Sequence, residues 1–183
     1  DKKAPATGEV VLSVRNMTVP SKQSKKNAVK DVSFDVKAGE IVCIAGIDGN
    51  GQSEFVSALT GLEKLSGGKI ALCGKDISKA SIRNRSKTGM SHIPEDRHKY
   101  GLVLDYTLEQ NLVLQRYWQP EFQRYGFIKN REVRSYAEKL IAEYDVRSGE
   151  GPVTNVRSMS GGNQQKAIIA RENDKDHELL VAV

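Results

Sequence analysis

Apolar positions change their spacing along this chain of 183 residues, and the change falls near Leu108. Upstream they come in short runs. Glu9-Val10-Val11-Leu12-Ser13-Val14 predicts a strand. Ala28 to Val36 alternates so that Val32, Phe34 and Val36 share one face of a second, half-exposed strand. The polar stretch from Ser21 to Asn27 between them reads as a hairpin or loop. Lys37-Ala38-Gly39-Glu40 turns into Ile41-Val42-Cys43-Ile44-Ala45, a continuous apolar run suited to a buried parallel strand. Phe55, Val56, Ala58, Leu59 and Leu62 mark a helix, and Ser66-Gly67-Gly68 leads into the strand Lys69-Ile70-Ala71-Leu72. Downstream, Leu108, Leu112 and Leu114 form one helical stretch, and Val133, Ala137, Leu140, Ile141 and Tyr144 another. An irregular aromatic-rich piece, Tyr117 to Phe122, separates them. Leu179 to Val183 reads as a buried strand.

Early strands, a helical middle and a late strand predict an α/β domain with a helical subdomain. Composition narrows the class: 38% of the residues are hydrophobic, and no apolar run approaches the ~20 residues of a membrane span. Asp1 to Gly8 has no apolar signal core and reads as a linker. Cys43 and Cys73 follow no metal or redox spacing and fit a reducing cytosol, Cys43 as a small packed hydrophobe. The net charge of +5 is spread over Lys22, Lys25, Lys26, Lys30, Arg83, Arg85, Lys87, Arg97 and Lys99. With few aromatics and no stacking platform, nucleic acid is not an expected partner.

Two glycine-bearing loops carry the candidate chemistry. Gly46-Ile47-Asp48-Gly49-Asn50-Gly51-Gln52-Ser53 follows an apolar run and precedes a helix, with glycines where a phosphate-binding loop places them. Its backbone N–H groups suit an anion nest, and Ser53 stands where a hydroxyl meets magnesium. Position 52, however, is Gln where the motif has Lys, so the cation facing the β- and γ-phosphates is missing. Glu54 and Asp48 add two carboxylates that repel phosphate. Taken alone, the segment equally suits a plain strand–helix turn. The second loop, Ser160-Gly161-Gly162-Asn163-Gln164-Gln165-Lys166, opens a helix. A serine cap, two glycines and unpaired N–H groups at the positive end of a helix attract anions. An ordinary capped helix start has the same pattern.

Taken in order, these motifs resemble the nucleotide-binding domain of an ABC transporter. Gly46 to Ser53 matches the Walker A position, Met159 to Gln164 the ABC signature, and Glu95 in His92-Ile93-Pro94-Glu95-Asp96-Arg97 the Q-loop glutamine. Leu179 to Val183 looks like the Walker B strand, with Val183 at the place of the magnesium-organising aspartate. The resemblance runs from Glu9 to Val183, as a domain truncated at that strand, with a helical subdomain over roughly 106–158. It implies a P-loop NTPase core with an antiparallel β subdomain. More narrowly, Gly46 to Glu54, Ile93 to Arg97 and Ser160 to Lys166 are similar to the second ATPase domain of the duplicated sugar and nucleoside importers, the basic-membrane-protein-dependent group.

That resemblance implies ATP and Mg as cofactors, contacted in this domain by Gly46, Asp48, Gly49, Asn50, Gly51, Gln52, Ser53 and Glu54. Its own site is expected to bind weakly and to be inactive or nearly so. Ser160, Gly161, Gly162, Asn163 and Gln164 would act in trans, on ATP held by the preceding ATPase domain of the same polypeptide. Membrane-spanning permease subunits and, indirectly, a solute-binding lipoprotein are the implied partners, at the cytoplasmic face of the cell membrane. Tyr106, Trp118, Phe122 and Tyr125 are candidates to line the groove for the permease, or else core residues. Val19 is the candidate to stack on adenine. Two other readings remain open: an active ATPase that recruits Arg97 or Lys99 in place of the lost lysine, and a soluble ABC protein acting on nucleic acid. The motif variants favour an importer, of nucleosides or sugars.

Overall fold

The computed structural model describes residues 7–21, 26–47 and 49–183. In chain order the elements are β1 (Val10–Pro20), β2 (Asn27–Lys37), α1 (Gln52–Thr60), β3 (Gly67–Leu72), β4 (Lys75–Asp76), α2 (Ile82–Lys87) and β5 (Met90–Ile93). A π-helical turn at Arg97–Gly101 follows, then α3 (Leu108–Val113), β6 (Gln123–Arg124), β7 (Phe127–Ile128), α4 (Asn130–Glu143), α5 (Gly161–Asn173) and β8 (Leu179–Ala182). They form two compact units. One runs to Ser91 and regains His177–Val181; the other holds His92–Asp176 with Ala182–Val183.

The first unit is built on an antiparallel sheet of order β2-β1-β3-β4. Leu12 pairs with Val36 and Leu72, and Val14 with Phe34 and Ile70, which stacks apolar side chains on one face. β1 continues past Val14 because it bulges. The buried positions shift phase from Leu12 and Val14 to Met17 and Val19, and the register breaks between them. Asn16 sits there at φ 49, its Nδ2 donating to Asp31 Oδ1 at 2.6 Å. A bulge of this kind inserts one residue and resets which face looks inward. α1 buries Phe55, Ala58 and Leu59 in the same core, with Phe55 5.8 Å from Phe34 between ring centres. Arg85 is buried and closes the C-terminal end of α1, its Nη1 donating to the Leu59 carbonyl at 2.8 Å. Burial pushes its guanidinium below the usual arginine range.

Two sequence expectations fail here. Ile41–Ala45 is not a strand: the whole run is exposed, Cys43 with it, and Ile41 is 97% accessible. A continuous apolar run is buried only where sheet neighbours and flanking helices cover it, and no described strand pairs with these residues. Leu179–Ala182 is a strand, but a half-buried one: Leu179 and Val181 meet the first core while Leu180 and Val183 stay exposed.

The second unit packs α3, α4 and α5 around Leu108, Leu112, Phe122, Leu140, Val156 and Ile168. α3 starts on a reciprocal capping box, with Thr107 accepting from the Gln110 N–H while the Gln110 side chain accepts from the Thr107 N–H. α4 carries Val133, Ala137 and Leu140 inward, as its spacing predicts, together with Tyr136, while Ile141 and Tyr144 are partly buried. Phe122 belongs to this core and is fully buried, so it lines no groove. Trp118 is partly buried, and Tyr106 and Tyr125 are exposed. A buried ionic cluster ties α5 down: Glu172 accepts from Arg171 at 3.0 Å and Gln115 at 2.8 Å, and pairs with Lys175 at 2.6 Å.

Candidate functional site

The glycine loop lies between Gly46 and α1. Gly49 and Gly51 are both left-handed, at φ 84 and 92. Gly51 must be glycine for a second reason: a Cβ there would stand 2.5 Å from the Ala28 carbonyl oxygen of β2. The loop tightens through Asn50 N–H to the Ile47 carbonyl at 3.2 Å, and α1 begins with Phe55 N–H on the Gly51 carbonyl at 2.8 Å. Ser53 and Asn50 are exposed, and Glu54 sits in the first turn. Asp48 lies outside the described residues. Gln52 does not project from the loop. Its Nε2 donates back to the Ile47 carbonyl at 3.1 Å and lies against Gly46, 2.0 Å from where a Cβ would be. The loop is thus closed on itself by a neutral amide, and its cation is absent. No group of three or more His, Cys, Asp or Glu among the described residues is placed to hold a metal, so Ser53 has no such set beside it. Val19, the candidate for adenine, is 1% exposed inside β1 and cannot stack on a base.

The second loop is built differently. Thr154–Ser158 is pinned by Leu108 N–H to the Thr154 carbonyl, Val156 N–H to the Tyr106 carbonyl and Arg157 N–H to the Leu104 carbonyl. The Arg157 guanidinium pairs with Asp105 at 2.7 Å. Ser160 is then the N-cap of α5, its Oγ accepting from the Asn163 N–H at 3.4 Å and from Asn163 Nδ2 at 3.0 Å. Asn163 Oδ1 also accepts from the Arg147 N–H at 2.9 Å. Gln164 turns inward and is buried, donating to the Val156 carbonyl at 2.9 Å. What remains on the outside is Ser160, Gly162 and the first N–H groups of a 13-residue helix. A cavity of ≈ 540 Å³ opens beside them, bordered by Arg147, Glu150, Asn155, Ser158, Ser160 and Asn163.

Glu95 is exposed. The turn after it is capped by Asp96, whose Oδ1 accepts from the His98 and Lys99 N–H groups at 3.0 Å each. Lys99 lies over the Tyr100 ring at 5.0 Å. Arg97 lies against Gly161, where a Cβ would meet its Nη2 at 2.8 Å. His98 Nε2 meets Gln164 Oε1 at 2.9 Å; since Gln164 spends its amide N–H on Val156, His98 is the donor. These two contacts, and the bonds that Gln115 and the His92 N–H make to Glu172, carry no signal in the sequence, because they join residues far apart in the chain.

A glycine loop opening a helix, an antiparallel sheet and a helical unit with a Ser-Gly-Gly-capped helix define the ATP-binding-cassette form of the P-loop NTPase fold. Solved structures agree. An ATP-binding cassette in a dimeric, post-hydrolysis state bound to ADP and Pi superposes with a TM-score of 0.74 over 93% of this chain and 72% of its own, at 21% identity. A nucleotide-free cassette from an ABC transporter gives 0.72 over 95% and 68%, at 17% identity. The chain belongs to the ABC transporter family, whose pattern it matches over residues 29–182. Among curated relatives, the nucleoside import ATP-binding protein NupA of Lactococcus lactis subsp. cremoris is 45% identical over 99% of this chain and 35% of its own length. The guanosine import ATP-binding protein NupO of Bacillus subtilis is 46% identical over 100% and 35%. A ribose import ATP-binding protein, RbsA of Bacillus subtilis, is 34% identical over 93% and 33%. The chain therefore spans about a third of the length of the curated relatives it matches.

Proposed function

We propose that this chain is the degenerate nucleotide-binding domain of a duplicated ABC importer ATPase, at the cytoplasmic face of the membrane beneath permease subunits. Its own glycine loop binds Mg-ATP weakly. Its signature loop, Ser160 to Gly162, completes the site in which the preceding ATPase domain of the same polypeptide hydrolyses ATP. The observation that carries the reading is the contrast between two loops of one chain. Gln52 folds back onto the Ile47 carbonyl, whereas α5 presents a capped, exposed N-terminus with space beside Ser160. Phosphoryl transfer is catalysed largely by positioning and charge, so a loop that keeps its donors can serve while one that lost its cation cannot. Nucleosides are the favoured cargo class, because relatives named for nucleoside and guanosine import are 45–46% identical and those named for ribose import 33–34%. No helix among the described residues is long and apolar enough to cross a membrane, consistent with a peripheral subunit.

The test is ATP hydrolysis by the full-length polypeptide assembled with its permease. Gly162→Asp is expected to lower the rate about a hundredfold, since it sets a carboxylate against phosphate, while Gln52→Ala stays within about twofold. The reverse pattern would mean that this chain's own loop is the working site.

A further inference from the structure

Arginine carries five donors and is rarely left without an acceptor. In the second unit Arg116, Arg134, Arg157 and Arg171 each pair with a carboxylate. Among the described residues Arg97 has neither an ion pair nor a side-chain hydrogen bond, and its Nε is buried without a partner there. Its guanidinium lies against Gly161, the first residue of α5.

That position is held by the turn itself. Asp96 caps it, and its residues meet α5 at three places: Arg97 at Gly161, His98 at Gln164, and Gly101 at Ile168. The three helix positions are spaced i, i+3 and i+7, so they line one face. Gly101 leaves no room for more, since a Cβ there would stand 2.6 Å from Ile168 Cδ1. The turn is therefore docked along the helix, and Arg97 is delivered to the end where the α5 N–H groups emerge.

We infer that Arg97 is the cationic half of a phosphate seat whose other half is the Gly161 and Gly162 N–H groups. Resting on the proposed trans role of the signature loop, the phosphate is that of the ATP held by the preceding domain. A Cβ on Gly161 would stand 2.8 Å from Arg97 Nη2, so the bare glycine lets the guanidinium lie close against the helix end. Arg97 thus serves the signature loop and is not the substitute for the lysine missing at Gln52. It also places a charge two residues after Glu95, so displacement of the Q-loop position moves a phosphate ligand directly.

The test is titration of the isotope-labelled chain with pyrophosphate, followed at the backbone amides of Gly161 and Gly162, with those of Gly49 and Gly51 as an internal control. Arg97→Gln is expected to weaken the response at Gly161 and Gly162 about tenfold and leave Gly49 and Gly51 unchanged, as loss of a charge-assisted bond requires. Arg97→Lys should stay within about threefold, because charge at the seat is retained. Gly161→Ala, which pushes the mobile end of Arg97 aside without removing it, should repeat the Gln result. An unchanged Gln164 side-chain amide signal in each variant shows that the turn remains docked. Undiminished binding at Gly161 and Gly162 in Arg97→Gln, or no response there in the unaltered chain, overturns the inference. If pyrophosphate binding depends on Arg97 but Gly162→Asp leaves hydrolysis by the full-length protein intact, the seat stands and the trans reading falls.

Discussion

The Gln52 side chain lies across its own loop, with Nε2 donating to the Ile47 carbonyl at 3.1 Å. A lysine at this place would carry a charge that needs an anion; the amide is satisfied by the backbone and brings no charge to the loop.

Gln52→Lys with Glu54→Thr should therefore tighten Mg-ATP binding. The pair frees the Ile47 carbonyl, restores a cation and removes a carboxylate from the first turn of α1. A gain of about tenfold is expected from one charge-assisted contact. Calorimetric titration of both chains measures it, and equal affinities would show that charge is not what the loop lacks.

Gly51→Ala tests the loop's geometry without its charge. The residue is left-handed at φ 92, and the added Cβ would press on the Ala28 carbonyl oxygen at 2.5 Å, a backbone atom of β2 that cannot swing away. Strain and overpacking together should cost about 3 kcal/mol. Urea unfolding should show a lower midpoint with an unchanged slope. A loss below about 1 kcal/mol would mean that the loop and β2 are not held together in solution.

The two loops were legible in the sequence because each is a contiguous motif: glycine spacing, a capping serine, and apolar residues at helical period in α1 and α4 report on local geometry. Ile41–Ala45 was misread for a related reason. Apolarity announces a need for cover, yet says nothing of which strands provide it, and here none of the described ones does. β1 was cut short at Val14 because the bulge at Asn16 breaks the alternation on which strand reading depends. Phe122 and Val19 sit in cores that only the packing of distant segments defines. The sequence offers Arg97 as a dispersed surface charge or, with Lys99, as a stand-in for the missing lysine; its place beside Gly161 follows only from the docking of its turn along α5.

Glu172 should be the most costly acid in the chain to remove. It is fully buried, faces Arg171 and Lys175, and also accepts from Gln115 and the His92 N–H. Burial alone would raise its carboxyl; the charges of Arg171 and Lys175 outweigh that and hold it below the usual glutamate range. Glu172→Leu strands two buried cations and should cost about 3–5 kcal/mol, measured by urea unfolding. Adding Lys175→Met should recover part of the loss. A Leu variant within about 1 kcal/mol of the parent would refute the cluster's role.

His92 gives the pH dependence its sign. Among the described residues its Nε2 is buried without a partner, and burial pushes the imidazole below 6.5, with Lys175 and Arg171 adding to the shift and Glu172 opposing it. The unfolded chain therefore takes up a proton at a higher pH than the folded one. The associated stability is complete above pH 6.5 and drains away as pH falls through the lower, folded value. Glu172, also depressed, adds a second loss beneath its unfolded value of 4.5. His92→Leu should remove the first of these losses and leave the second. Unfolding free energies measured at intervals from pH 7.5 downward, about half a unit apart, resolve the two. If the Leu variant loses stability just below pH 6.5 as steeply as the parent, the proton is taken up elsewhere and the burial of His92 is not its cause.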